Sequence, residues 1–177
     1  MKDKILNIID NMAGSLLGIG IDDDSMLEKI ENNKKIDLCY ILSNGGSKNN
    51  KKFKLFKKGR DKKINIKKLK KFFKKKSIDN VLCDYNVIKK FSRNFMGGSV
   101  YINKGKLYIY GNIQDLKNLK ERYERYTKDV ELIKNSKSFI LIVNNQKTRS
   151  TAFRDSIYKM TDFFNDSLDY LTEILTN

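Results

Sequence analysis

Residues 15–26 read SLLGIGIDDDSM. Leu16, Leu17, Ile19 and Ile21 crowd around Gly18 and Gly20, and three acids in a row then open a run with helical spacing. A short apolar stretch without alternation reads as a strand buried on both faces. Asp23 or Asp24 stands where a helix takes its N-cap, and Met26, Leu27 and Ile30 follow on one helical face. Strand, glycine turn and helix make the opening of a βαβ unit, which implies a parallel sheet.

The surrounding sequence repeats that alternation. Before it, residues 2–13 place Ile5, Leu6, Ile8, Ile9 and Met12 at helical spacing. After it, IDLCYIL (36–42) is a second buried strand that runs out at the turn-rich SNGGS, and SIDNVLCD (77–84) is a third. NVIKKFSRNFM (86–96) predicts a helix stopped by Gly97 and Gly98, and SVYIN, KG and KLYIY (99–110) predict a hairpin. Asn112 is then expected to cap a long helix over 113–135, with Leu116, Leu119, Tyr123, Tyr126, Val130 and Ile133 as one apolar stripe. SFILIVN (138–144) reads as a further strand, and residues 151–176 as a final helix carrying five acids and two bases. The expected fold is a single α/β domain over residues 1–177. It is doubly wound, with a mainly parallel sheet, helices on both faces and an antiparallel edge hairpin.

In such a sheet, ligands bind beyond the carboxyl ends of the strands. The stretch SLLGIGIDDDSM resembles the first motif of Rossmann-type (class I) S-adenosylmethionine-dependent methyltransferases, in which a strand enters a glycine loop and then a helix. DYN (84–86), at the end of the third strand, resembles that family's acid-or-amide and aromatic motif without its prolines. The resemblance implies S-adenosylmethionine as cofactor, held by Gly18, Gly20, Asp22, Ser43 and Asn44, and Asp84, Tyr85 and Asn86 at the reacting end. The chain departs from the family pattern at Leu16, where an acid is usual, at Asp22, where a third glycine is usual, and at Ser43, where an acid usually holds the ribose. Those departures leave open whether the protein catalyses anything. Three adjacent acids repel a pyrophosphate but suit a cationic sulfonium and amine. Acids are also favoured at a helix start by capping and the macrodipole alone, so no metal is expected there.

The charge is distributed very unevenly. Residues 48–76 hold 16 Lys and Arg against one acid, while the whole chain of 177 residues carries only +16. The rest is therefore close to neutral, and the excess is local. Such a run repels itself across the screening length of about 8 Å at physiological salt, and a polyanionic partner relieves the repulsion. RNA or DNA is the expected partner, met through Lys51, Lys52, Lys54, Lys57, Lys58, Arg60, Lys67, Lys68, Lys70, Lys71, Lys74 and Lys75. Lysine so outnumbers arginine here that backbone contact is expected rather than base-edge readout. Ile66, Leu69, Phe72 and Phe73 fall on one helical face, and aromatics among lysines can stack on unpaired bases. Two other readings fit the same run: a non-enzymatic nucleic-acid or ribonucleoprotein binding module, and attachment to an anionic membrane surface.

The chain has no His, Trp or Pro, which removes most triad chemistry and the usual imidazole bases. Cys39 and Cys83 lie inside apolar runs and read as buried reduced thiols in a cytoplasmic protein. No apolar run approaches the length of about 20 residues that spans a bilayer. The stripes over 113–135 and 151–176 leave a homodimer as a further expectation.

Overall fold

The computed structural model describes residues 4–42, 53–55, 69–125, 127–135 and 138–145, and at 53–55, 71, 91 and 93 the backbone alone. All belong to one compact unit, Met1–Lys147. The expected C-terminal helix falls in the second unit, Thr148–Asn177, outside the described residues.

The chain runs through α1 (Lys4–Asp10), β1 (Gly14–Ile19), α2 (Asp24–Asn32), β2 (Ile36–Leu42), β3 (Phe53–Leu55), α3 (Leu69–Phe72) and β4 (Ile78–Asp84). It continues with α4 (Tyr85–Ile88), a 3-10 turn (Lys89–Phe91), α5 (Ser92–Ile102), β5 (Asn103–Gly111), α6 (Ile113–Glu124), β6 (Val130–Asn135) and β7 (Ser138–Asn144). The strands form one seven-stranded sheet in the order β3-β2-β1-β4-β5-β7-β6. The pairs among β3, β2, β1, β4 and β5 are parallel, and β7 runs antiparallel to both β5 and β6. The chain therefore winds outward from β1 in both directions, as expected for a doubly wound fold.

The central strands bury both faces, which explains their unbroken apolar runs. Leu17, Ile19, Val81, Cys83, Leu107 and Ile109 face a core shared with Leu69, Phe95, Leu116 and Tyr123 from α3, α5 and α6. Leu16, Leu82, Tyr108 and Ile140 face the opposite core, with Ile5 and Ile9 of α1 and Ile30 of α2. Both cysteines are free and buried.

Three expectations are corrected. Residues 99–110 are not a hairpin: Ser99 to Ile102 complete α5, and Lys104, Gly105 and Lys106 lie within β5. The antiparallel pair is formed by β6 and β7 instead. Gly97 and Gly98 do not stop a helix but sit inside α5, where Gly98 gives close access to Leu69 of α3. The helix after Asn112 ends at Glu124, so Val130 and Ile133 belong to a strand rather than to a stripe over 113–135. Its remaining apolar residues, Leu116, Leu119 and Tyr123, are all buried in the core. Period-four spacing in YTKDVELI cannot by itself separate a helix from an alternating strand, and the sheet edge beside β7 selects the strand.

Candidate functional site at the carboxyl edge of the sheet

Three parallel strands deliver the expected ligand residues to one edge: β1 leads to Gly20 and Asp22, β4 ends at Asp84, and β5 ends at Tyr110 and Gly111. Asp84 and Tyr110 are direct neighbours in the parallel register. Ser43 and Asn44, at the end of β2, lie outside the described residues.

The glycine turn is fixed by the protein's own atoms. Gly20 has φ +68°, a left-handed conformation that favours glycine. Its N–H donates to the Leu42 carbonyl at 2.8 Å, and its carbonyl accepts from the Tyr110 hydroxyl at 3.1 Å. A Cβ at Gly20 would lie 2.4 Å from Val87 Cγ2, and one at Gly18 would lie 2.8 Å from Ile41 Cδ1. Both glycines thus make room for neighbouring side chains of the core and the turn. Tyr110 is a site residue that sequence reasoning missed, because KLYIY was assigned to a hairpin; its place at the end of an apolar strand was the available signal.

Each acid at this edge has a different setting. Asp23 is the N-cap of α2: its carboxylate accepts the Met26 N–H at 3.0 Å and a hydrogen bond from the Ser25 hydroxyl. The Ser25 hydroxyl and then the Met26 N–H hold its carboxyl below the ordinary value. Asp22 and Asp24 are exposed. Asp84 caps α4 by accepting the Asn86 N–H at 2.8 Å. Burial pushes the Asp84 carboxyl up, and the nearby charge of Asp22 pushes the same way against the bonds from Asn86. Burial likewise raises the Tyr110 hydroxyl, with Asp84 adding to it, so the phenol is a firm donor. Tyr85 is only 9% exposed and packs with the core, its Cβ against Gly111, so its ring lies under the edge rather than facing the crevice. Asn86 is exposed. Among the described residues no three of Cys, Asp and Glu gather in a metal-holding arrangement.

The donor set suits a cation. Asp22 and Asp84 repel each other's charge, and a positively charged ligand group between them would relieve that cost. A phosphate would add to it.

The lysine run is seen only in part. Lys51, Lys52, Lys57, Lys58, Arg60, Lys67 and Lys68 lie outside the described residues, and for Lys54 on β3 and Lys71 on α3 only the backbone is described. Lys70, Lys74 and Lys75 are exposed. Lys76 turns inward instead: its Nζ donates to the carbonyls of Asn103 at 3.0 Å and Asn145 at 3.3 Å. Leu69 and Phe73 are buried as expected, but Phe72 is not. No described helix is long and apolar enough to cross a membrane.

No protein-family model matches this sequence, and no curated protein does. Solved structures do match. Human methyltransferase-like protein 13, in complex with SAH, superposes with a TM-score of 0.59 at 11% identity, over 87% of this chain and 82% of that one. Precorrin-6y C5,15-methyltransferase from Geobacter metallireducens gives 0.54 at 10% identity, over 80% and 85% of the two chains. Precorrin 8w decarboxylase from Methanobacterium thermoautotrophicum gives 0.55 at 10%, over 78% and 88%. At this identity the likeness concerns the fold: with its sheet order and antiparallel β7, the chain has the Rossmann-type, methyltransferase-like fold.

Proposed function

We propose that this protein contacts RNA or DNA through phosphate-binding lysines of residues 48–76, carried on a methyltransferase-like fold. The observation that supports this most is the charge itself: 16 bases against one acid in 29 residues of an otherwise balanced chain. Lys74 and Lys75 are exposed and form no ion pair with a described residue, so their charge is available to a partner. Lysine contacts to a nucleic-acid backbone release counterions, so binding should weaken with salt at a log–log slope of about 0.7 to 0.9 per phosphate. Replacing Lys67, Lys68, Lys70 and Lys71 by Gln should lower affinity and slope together. A flat salt response in the wild type rules the reading out.

A second reading concerns the acidic edge. Asp22 and Asp84 favour S-adenosylmethionine, whose sulfonium and amine are cationic, as the small ligand at the ends of β1 and β4. Calorimetry should then show tighter binding of S-adenosylmethionine than of its neutral-sulfur product. Asp84→Asn should narrow the difference. Absence of heat with both compounds leaves a binding module without a cofactor.

A further inference from the structure

We propose that Phe72 and Tyr101, set among Lys70, Lys74 and Lys75, form a stacking platform for unpaired bases, so that the nucleic acid bound is a single strand. This rests on the reading of residues 48–76 as phosphate-contacting, and it names which form of nucleic acid they take.

The segment around Phe72 is pinned on both sides. Leu69 is 3% exposed and packs 3.8 Å from where a Cβ of Gly98 would stand on α5. Phe73 is 7% exposed, with its ring edge-on to Tyr40 at a centroid distance of 5.0 Å. Three residues further on, the Lys76 N–H donates to the Tyr101 carbonyl at 2.9 Å, and its ammonium is anchored on Asn103 and Asn145. Between these anchors Phe72 is 61% exposed, and Tyr101, at the end of α5, is 37% exposed. They are the two large aromatics exposed among the described residues. Lys70 Nζ lies 5.8 Å from the centre of the Tyr101 ring, so a cation already sits over one of them.

An aromatic ring held in water inside a field of lysines is what a single strand needs. The lysines take the phosphates, and the ring takes the face of a splayed base. A duplex keeps its bases stacked on one another and offers no such face. A membrane would call for a continuous apolar surface, but Leu69 and Phe73 are committed to the core, and one phenyl ring among lysines does not make one. Tyr101 lies outside the lysine run, and only the packing of α3 on α5 brings it there.

The test uses the full chain with an oligo-dT strand and a duplex of the same length. Phe72→Ala should weaken single-strand binding about tenfold with an unchanged salt slope, because the phosphate contacts remain, and should leave duplex binding alone. Tyr101→Ala should act in the same direction. The chain has no tryptophan, so Phe72→Trp should restore binding and add a fluorescence that oligo-dT quenches by stacking. Salt-dependent binding with no effect of Phe72→Ala overturns the platform and keeps the phosphate reading. Wild-type protein that binds neither nucleic acid overturns both. An indole that responds to phosphatidylserine vesicles but not to oligo-dT assigns the surface to membranes and overturns the platform.

Discussion

Asp79 and Asp84 stand near opposite ends of the same strand, β4, and their surroundings push their acidities in opposite directions. Burial raises the Asp79 carboxyl, but Ser15 outweighs it through its N–H at 2.9 Å and its hydroxyl at 2.7 Å, helped by the Lys104 ammonium at 3.0 Å. The net result is a carboxyl held below its ordinary 3.8. Asp84 has one backbone bond, partial burial and a second acid nearby, and its carboxyl is held above 3.8. The amino edge of the sheet is thus electrostatically satisfied and ties β1 to β4. The carboxyl edge carries charge that the protein does not neutralise. That contrast separates two kinds of partner on one sheet: a small cationic ligand at the carboxyl edge, and a polyanion near the amino edge, where Lys74 and Lys75 enter β4. A nucleic acid held by these lysines would have to extend across the sheet to bring a base to Asp84.

The contrast can be broken in four places. The largest effect is expected at the Gly20 turn. Gly20→Ala combines a left-handed φ with a Cβ driven into Val87, and should cost about 2–4 kcal/mol in urea unfolding. Gly98→Ala, helical and at ordinary contact distance from Leu69, should cost nothing and serves as the control. Equal losses at the two glycines would mean that the turn is not the constrained element.

Asp79→Asn should lose about 1–2 kcal/mol at neutral pH, since it weakens charged hydrogen bonds that are partly exposed. Because the folded-state carboxyl is the more acidic, this stabilisation is present above the ordinary value. It disappears as pH falls through the lowered one. A pH-independent loss would contradict the assigned charge. Tyr110→Phe leaves the Gly20 carbonyl without its hydroxyl donor and should cost about 1 kcal/mol. The same variant should also loosen amide exchange protection at Gly20 if the bond holds the turn.

Asp84→Asn should have the smallest effect, and the opposite sign. Asn caps a helix as well as Asp does, so the change removes the charge and keeps the cap. The raised folded-state value means that wild-type stability falls as pH rises from the ordinary carboxyl value through the raised one. The variant should therefore melt slightly higher at neutral pH and identically at acid pH. A lower melting temperature at neutral pH would show that Asp84 finds a cation in the folded protein.

Much of the fold was legible because buried parallel strands leave a local mark. Residues 14–19, 36–42, 78–84 and 138–144 are continuous apolar runs, and each became a strand within a residue or two of its expected bounds. Asp23, Asp84 and Asn112 were legible as caps for a similar reason, since a cap bonds within its own turn. Residues 99–110 and 113–135 misled because their pattern suits more than one element, and the neighbour that decides between them is distant in sequence: β7 for β6, and β4 for β5.

The candidate site divides along the same line. Sequence alone determined that Gly18, Gly20, Asp22 and Asp84 come at strand ends, because strand and helix alternate, and that the positive charge is confined to residues 48–76, because charge is counted along the chain. Tertiary structure alone decided that the space at Gly18 and Gly20 is taken by Ile41 and Val87, that Tyr85 is buried, and that Tyr110 holds the turn. It also decided that Phe72 points out while Leu69 and Phe73 point in. Which ring meets water, and which carboxylate keeps its proton longer, depends on atoms that approach through space, and a linear sequence does not record those distances.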